Sequence, residues 1–161
     1  MSIICTARLS RHYGRRVGID AVDLEISEGE TFGFLGPNGA GKTTTIRILL
    51  GFLNPSGGNA SIFGLDCWRQ SRQIKRDIGY LPGDLRLYSW MTGKSALSIV
   101  GKIRGLDLRA EGAALAERFQ LEMNVSVRKM SKGTRQKLGL VLARPRLLIL
   151  EEPRSGFDPL M

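Results

Sequence analysis

Short apolar runs alternate with amphipathic stretches along this chain. Ile3–Leu9 (IICTARL) and Ala21–Ile26 (AVDLEI) read as strands, and the apolar Thr31–Leu35 (TFGFL) as a buried one. A glycine-rich turn follows. From Lys42 to about Phe52, apolar Ile46, Leu49, Leu50 and Leu53 recur at helical spacing, until Asn54–Gly58 (NPSGG) supplies turn residues. Asn59–Phe63 (NASIF) and Asp77–Leu81 (DIGYL) return as strands, the second stopped by Pro82-Gly83-Asp84. From about Leu85 to Val127 the pattern is helical, with Thr92 and Asp107 as helix starts. Ser131 opens a last helix to about Ala143, and Arg144-Pro145 breaks it. Leu147–Leu150 (LLIL) then predicts a buried strand that delivers Glu151 and Glu152 at its carboxyl end.

Strands that alternate with helices place the chain in the α/β class, with a mainly parallel sheet and antiparallel strands at the start. The helical stretch over about 85–130 reads as an insert within a single domain spanning 1–161. At 161 residues such a domain has room for a core without disulfide staples. Cys5 and Cys67 stand in no metal-ligand spacing, so unpaired thiols in a reducing cytosol are expected. The first residues lack a signal layout, and no apolar stretch reaches the roughly 20 residues of a membrane helix. Lys and Arg number 24 against 15 acidic residues, a formal charge of +9 that favours anionic partners. The basic residues are spread along the chain, and a solvated basic face accounts for most of them.

Gly36–Thr43, GPNGAGKT, narrows the choice of anion. It fits G-x-x-x-x-G-K-[ST] at every fixed position. Gly36, Gly39 and Gly41 let backbone N–H groups turn inward around phosphate oxygens with no side chain in the way. A helix starting at Lys42 adds its positive end, Lys42 reaches the β- and γ-phosphates, and the Thr43 hydroxyl binds Mg²⁺. A strand before the loop and a helix after it are the context this chemistry requires. The chain is therefore expected to hold a nucleoside triphosphate.

Further along, Met130–Lys137 (MSKGTRQK) resembles the LSGGQ signature of ATP-binding-cassette (ABC) proteins. Leu147–Pro159 (LLILEEPRSGFDP) resembles their Walker B strand and D-loop, in the family order and over essentially the whole chain. The similarity is greatest to ATP-binding subunits of bacterial ABC-2-class exporters. It implies a P-loop NTPase fold with ATP and Mg²⁺ as cofactors. Two such domains would dimerise beneath an integral-membrane permease, at the cytoplasmic face of the membrane. Tyr13 matches the A-loop aromatic that stacks on adenine. Gly36, Asn38, Gly39, Gly41, Lys42, Thr43 and Thr44 match the phosphate loop. Ser131 and Gly133 match signature residues that close on the partner's ATP, Glu151 the Walker B metal carboxylate, Glu152 the carboxylate that polarises the attacking water, and Asp158 the D-loop aspartate. No base-reading segment of the GTPase type is found. Relatives acting on nucleic acid or ribosomes commonly carry two cassettes or large insertions, which this chain does not, so no nucleic acid partner is expected.

Departures from the family pattern set a second expectation, of a nucleotide-binding protein without turnover. Gly83 stands in place of the Q-loop glutamine, Lys132 and Thr134 replace signature residues, and Arg154 replaces a small threonine. The first three are similar to variants in one exporter branch. Glu151 is one methylene longer than the family's aspartate, at a metal that demands near-octahedral geometry. The chain between signature and Walker B is about three residues shorter than usual, about 4.5 Å of helical rise. The strand that would carry the family's H-loop histidine lies beyond Asp158 and is not reached, which leaves the Walker B strand with an uncovered edge. Weak ATP binding with negligible hydrolysis is therefore expected. Steady-state phosphate release with Mg-ATP, using Glu152→Gln as control, checks it: Glu152-dependent turnover of roughly 1 s⁻¹ or more contradicts the expectation.

Overall fold

The computed structural model describes residues 1–143 and 145–151, in two compact units that meet in sequence at Arg76 and Asp77. In the first unit, β1 (Ser2–Tyr13) and β2 (Arg16–Ser27) form an antiparallel hairpin longer than the apolar runs alone indicate. Tyr13 pairs with Arg16 across a two-residue turn, where Gly14 takes the left-handed conformation (φ 60°) that such a turn demands. β3 (Gly57–Ile62) adds on the other side of β1, and the two-residue β4 (Leu65–Asp66) follows, giving the order β2-β1-β3-β4. Ile3, Leu9, Ile19, Ile26 and Ile62 are buried.

α1 (Lys42–Leu49) packs on β2 and β3 through buried Thr45, Ile48 and Leu49. The helix stops about three residues before the periodicity suggests. Gly51 adopts φ 63°, its N–H donates to Ile48 O (2.9 Å), and the Phe52 N–H donates to Arg47 O (2.8 Å). That hydrogen-bond pair is a Schellman termination, and it overrides the apolar spacing that continues to Leu53. α2 (Ser71–Ile74) is one turn that buries Ile74. Cys67 is buried and unpaired, and burial first, then the Asp66 charge, pushes its thiol up to about 12.

One expected strand is absent. Thr31–Leu35 forms no strand, and Phe32 and Leu35 are 44% and 84% exposed. An apolar run becomes a buried strand only where ladders hold its edges and layers cover both faces. Among the described residues this segment has no ladder.

The second unit holds β5 (Ile78–Leu81), α3 (Gly93–Arg104), α4 (Arg109–Arg118), α5 (Lys132–Ala143) and β6 (Leu147–Leu150). β5 and β6 pair in parallel, from Ile78 opposite Leu147 to Leu81 opposite Leu150. Leu148 and Leu150 remain 39% and 37% exposed, so β6 is half-buried and not the buried strand its composition predicts. Among the described residues it is laddered on one edge only. Thr92 starts α3 as expected, through a reciprocal capping box with Ser95. Asp107 sits just ahead of α4 and accepts the Arg109 N–H (3.1 Å). The Arg109 guanidinium also holds its carboxyl down at about 2. Met91, Leu97, Leu108, Val127, Leu138 and Val141 form the core of this unit.

A Cβ at position 51 would stand 2.4 Å from Ser71 Cβ and 2.6 Å from Cys67 O. Gly51→Ala should therefore combine left-handed strain with overpacking and cost about 2 kcal/mol or more. The urea midpoint of the variant against the parent measures it.

Candidate functional site

The phosphate loop is a chain of backbone turns set against β2. The Ala40 N–H donates to Pro37 O at 3.2 Å, which closes the turn that carries Asn38 and Gly39. Gly39 and Gly41 take φ 87° and 86°, and Gly41 is the residue from which α1 starts. Gly41 permits no side chain, since a Cβ there would lie 2.2 Å from Ile19 Cγ2 and 2.8 Å from Gly18 O. The Lys42 ammonium curls back and donates to Gly36 O (2.6 Å) and Pro37 O (2.8 Å). Three donors on an ammonium leave capacity for a phosphate oxygen beside those carbonyls. Thr43 is exposed and Thr44 half-buried in the first turn, while Thr45 is buried and returns its hydroxyl to Gly41 O (3.1 Å).

Tyr13, at the tip of the β1–β2 hairpin, is 44% exposed, with the Arg11 guanidinium 5.0 Å from its ring centre. Its ring lies over Gly18, close enough that a Cβ there would meet Tyr13 Cε2 at 2.8 Å. Gly18 and Ile19 thus touch the aromatic ring and the loop glycine Gly41, which ties Tyr13 and the phosphate loop to one stretch of β2.

In the second unit, Ser131 caps α5: its Oγ accepts the Thr134 N–H at 3.0 Å and lies 2.8 Å from the Thr134 hydroxyl. Gly133 is half-buried in the first turn of that helix. Gln136 was not singled out from sequence, yet it is 2% exposed and donates to Gly83 O at 3.3 Å. Among the described residues its Oε1 has no partner. A glutamine two residues after Thr134 reads as an ordinary helix residue, and only the fold shows it facing inward.

Glu151 follows β6, and its N–H donates to Leu81 O (3.0 Å), which carries the ladder with β5 one residue further. The Tyr80 hydroxyl donates to Glu151 Oε2. Glu152 and Asp158, the expected catalytic and D-loop residues, lie outside the described residues. The Thr43 hydroxyl and Glu151 carboxylate are hard oxygen donors of the kind Mg²⁺ takes. Among the described residues no cluster of three acidic, His or Cys side chains could hold a metal ion.

The ABC transporter family profile matches residues 19–155, which includes the phosphate loop, the signature and Walker B. The chain belongs to the ABC transporter family. It is 38% identical to the bacitracin transport ATP-binding protein BcrA of Bacillus licheniformis, over 99% of this chain and 54% of that protein. It is 36% identical to the daunorubicin resistance ATP-binding protein DrrA2 of Streptomyces coeruleorubidus, over 94% of this chain and 49% of that protein. The chain thus spans about half the length of these curated relatives. A solved ATP-binding subunit of an ABC transporter superposes with a TM-score of 0.87 at 29% identity, over 98% of this chain and 69% of that one. The P-loop NTPase fold of an ABC ATP-binding domain is therefore shared. No helix among the described residues is long and apolar enough to cross a membrane.

Gly39 and Gly41 of this ABC domain's loop should respond differently to substitution. A Cβ at Gly39 meets nothing within 4 Å, whereas at Gly41 it strikes β2. Gly39→Ala should cost only the left-handed term of about 1–2 kcal/mol, and Gly41→Ala clearly more. Paired urea titrations check the order.

Proposed function

We propose that this chain is the ATP-binding domain of an exporter. It would bind Mg-ATP, pair with a second such domain, and drive outward transport of an antibiotic-like molecule through a membrane permease. The observation that carries this reading is the phosphate loop: left-handed turns at Gly39 and Gly41, an ammonium already gathered into the loop, and α1 starting there. The named functions of the bacitracin and daunorubicin relatives support the choice of cargo.

Each residue has a role under this reading. Tyr13 offers a flat face to adenine, and Arg11 steadies the ring from beside it. The loop amides and Lys42 hold the β- and γ-phosphates, and Thr43 and Glu151 hold the metal that travels with them. Bound Mg²⁺ supplies charge neutralisation at the phosphates. Ser131 and Gly133 present the amino end of α5 to the nucleotide of the partner domain. Glu152 orients and polarises the attacking water, and Asp158 contributes to the contact between domains. Tyr88 and Trp90, stacked at 5.9 Å and 70% and 67% exposed, support docking of a protein partner.

Lys42→Ala tests the cradle at the heart of this proposal. Losing one charge-assisted contact should weaken ATP on the order of 10- to 100-fold in a fluorescent-nucleotide titration, with the circular dichroism spectrum unchanged. Unaltered affinity with an unaltered spectrum refutes the reading.

A further inference from the structure

The carboxylate of Glu151 is held by Tyr80, a residue given no role in the sequence analysis. β5 and β6 are parallel with Tyr80 opposite Ile149, and side chains along a strand alternate between faces. Ile149 and Glu151 therefore share the face on which Tyr80 stands. The backbone fixes the approach, because the Glu151 N–H continues the ladder onto Leu81 O. From there the half-buried Tyr80 hydroxyl donates to Glu151 Oε2.

We propose that Tyr80 is the positioning residue of Glu151, and that its hydroxyl sets the rotation at which this longer carboxylate is presented to nucleotide-bound Mg²⁺. The proposal rests on the reading of Glu151 as the metal carboxylate. Three points carry it. A carboxylate has two oxygens with several lone pairs, so a hydroxyl on Oε2 orients the group and does not exhaust it. Glutamate carries one more rotatable bond than aspartate, and an extra freedom of that kind is what a fixed donor removes. The reach is also specific to glutamate: withdrawing the carboxylate by one C–C bond, about 1.5 Å, takes it out of hydrogen-bond range of the hydroxyl. Tyr80 and Glu151 thus act as a unit in place of a shorter acid that would need no such support.

The test is a nucleotide-affinity measurement and does not depend on turnover. A fluorescent, non-hydrolysable ATP analogue is titrated at a series of Mg²⁺ concentrations and again in excess chelator. The proteins are the parent chain, Tyr80→Phe, Glu151→Asp, the double variant and Glu151→Ala. Removing a partner that orients a metal-binding carboxylate costs about 10- to 100-fold in metal affinity. Tyr80→Phe should therefore raise the Mg²⁺ requirement by roughly 10-fold, with affinity in chelator and the melting curve unchanged. In the Glu151→Asp background the same change should move the requirement less than about 2-fold, the size expected of uncoupled sites. An unshifted requirement in Tyr80→Phe overturns the proposal, as does an equal shift in both backgrounds. If Tyr80→Phe shifts the melting curve and the affinity in chelator together, the hydroxyl serves the fold and the proposal falls. If Glu151→Ala leaves the requirement unchanged, the metal role of Glu151 fails and the proposal with it.

Discussion

The first unit depends on one close approach. Gly41 lies against Gly18 and Ile19 of β2 so tightly that no Cβ fits between them. Because α1 starts at Gly41, that contact fixes where the helix begins and which way its amino end faces. Thr45 reinforces the joint from one turn on, with both its N–H (2.9 Å) and its hydroxyl (3.1 Å) on Gly41 O. Gly39 and Gly41 both turn left-handed, and at Gly41 β2 leaves room for backbone alone.

Features whose cause is local were legible in the sequence. The phosphate loop, the Thr92 cap and the Ser131 cap each depend on residues within a few positions of one another. The misreadings have the opposite origin. TFGFL is apolar enough for a central strand, but a strand exists only through partners, and composition does not show which partners are in place. The overlong reading of α1 followed side-chain periodicity past Gly51, where backbone hydrogen bonds end the helix regardless of apolar spacing.

The Tyr80–Glu151 contact was illegible for a further reason. The two residues are 71 positions apart, and only the register of β5 on β6 places them on one face. A shift of one residue in that register would turn Tyr80 to the other side. Gln136 is comparable: its burial and its bond to Gly83 depend on how α5 lies beside the turn after β5, which helical periodicity alone does not reveal.

The two carbonyl contacts of the Lys42 ammonium, to Gly36 and Pro37, bear on selectivity. A cation already solvated by its own loop does not wait for the first anion that diffuses past. An incoming phosphate has to compete with or share those oxygens, so part of the attraction is cancelled by what is given up. Chloride or a lone carboxylate offers little beyond one weak charge and does poorly in that exchange. Under the proposed function a polyphosphate, which brings several oxygens and engages several amides at once, would prevail. The loop would thus work as a threshold for charge and multiplicity, a property arising from the protein's own carbonyls as much as from its positive groups.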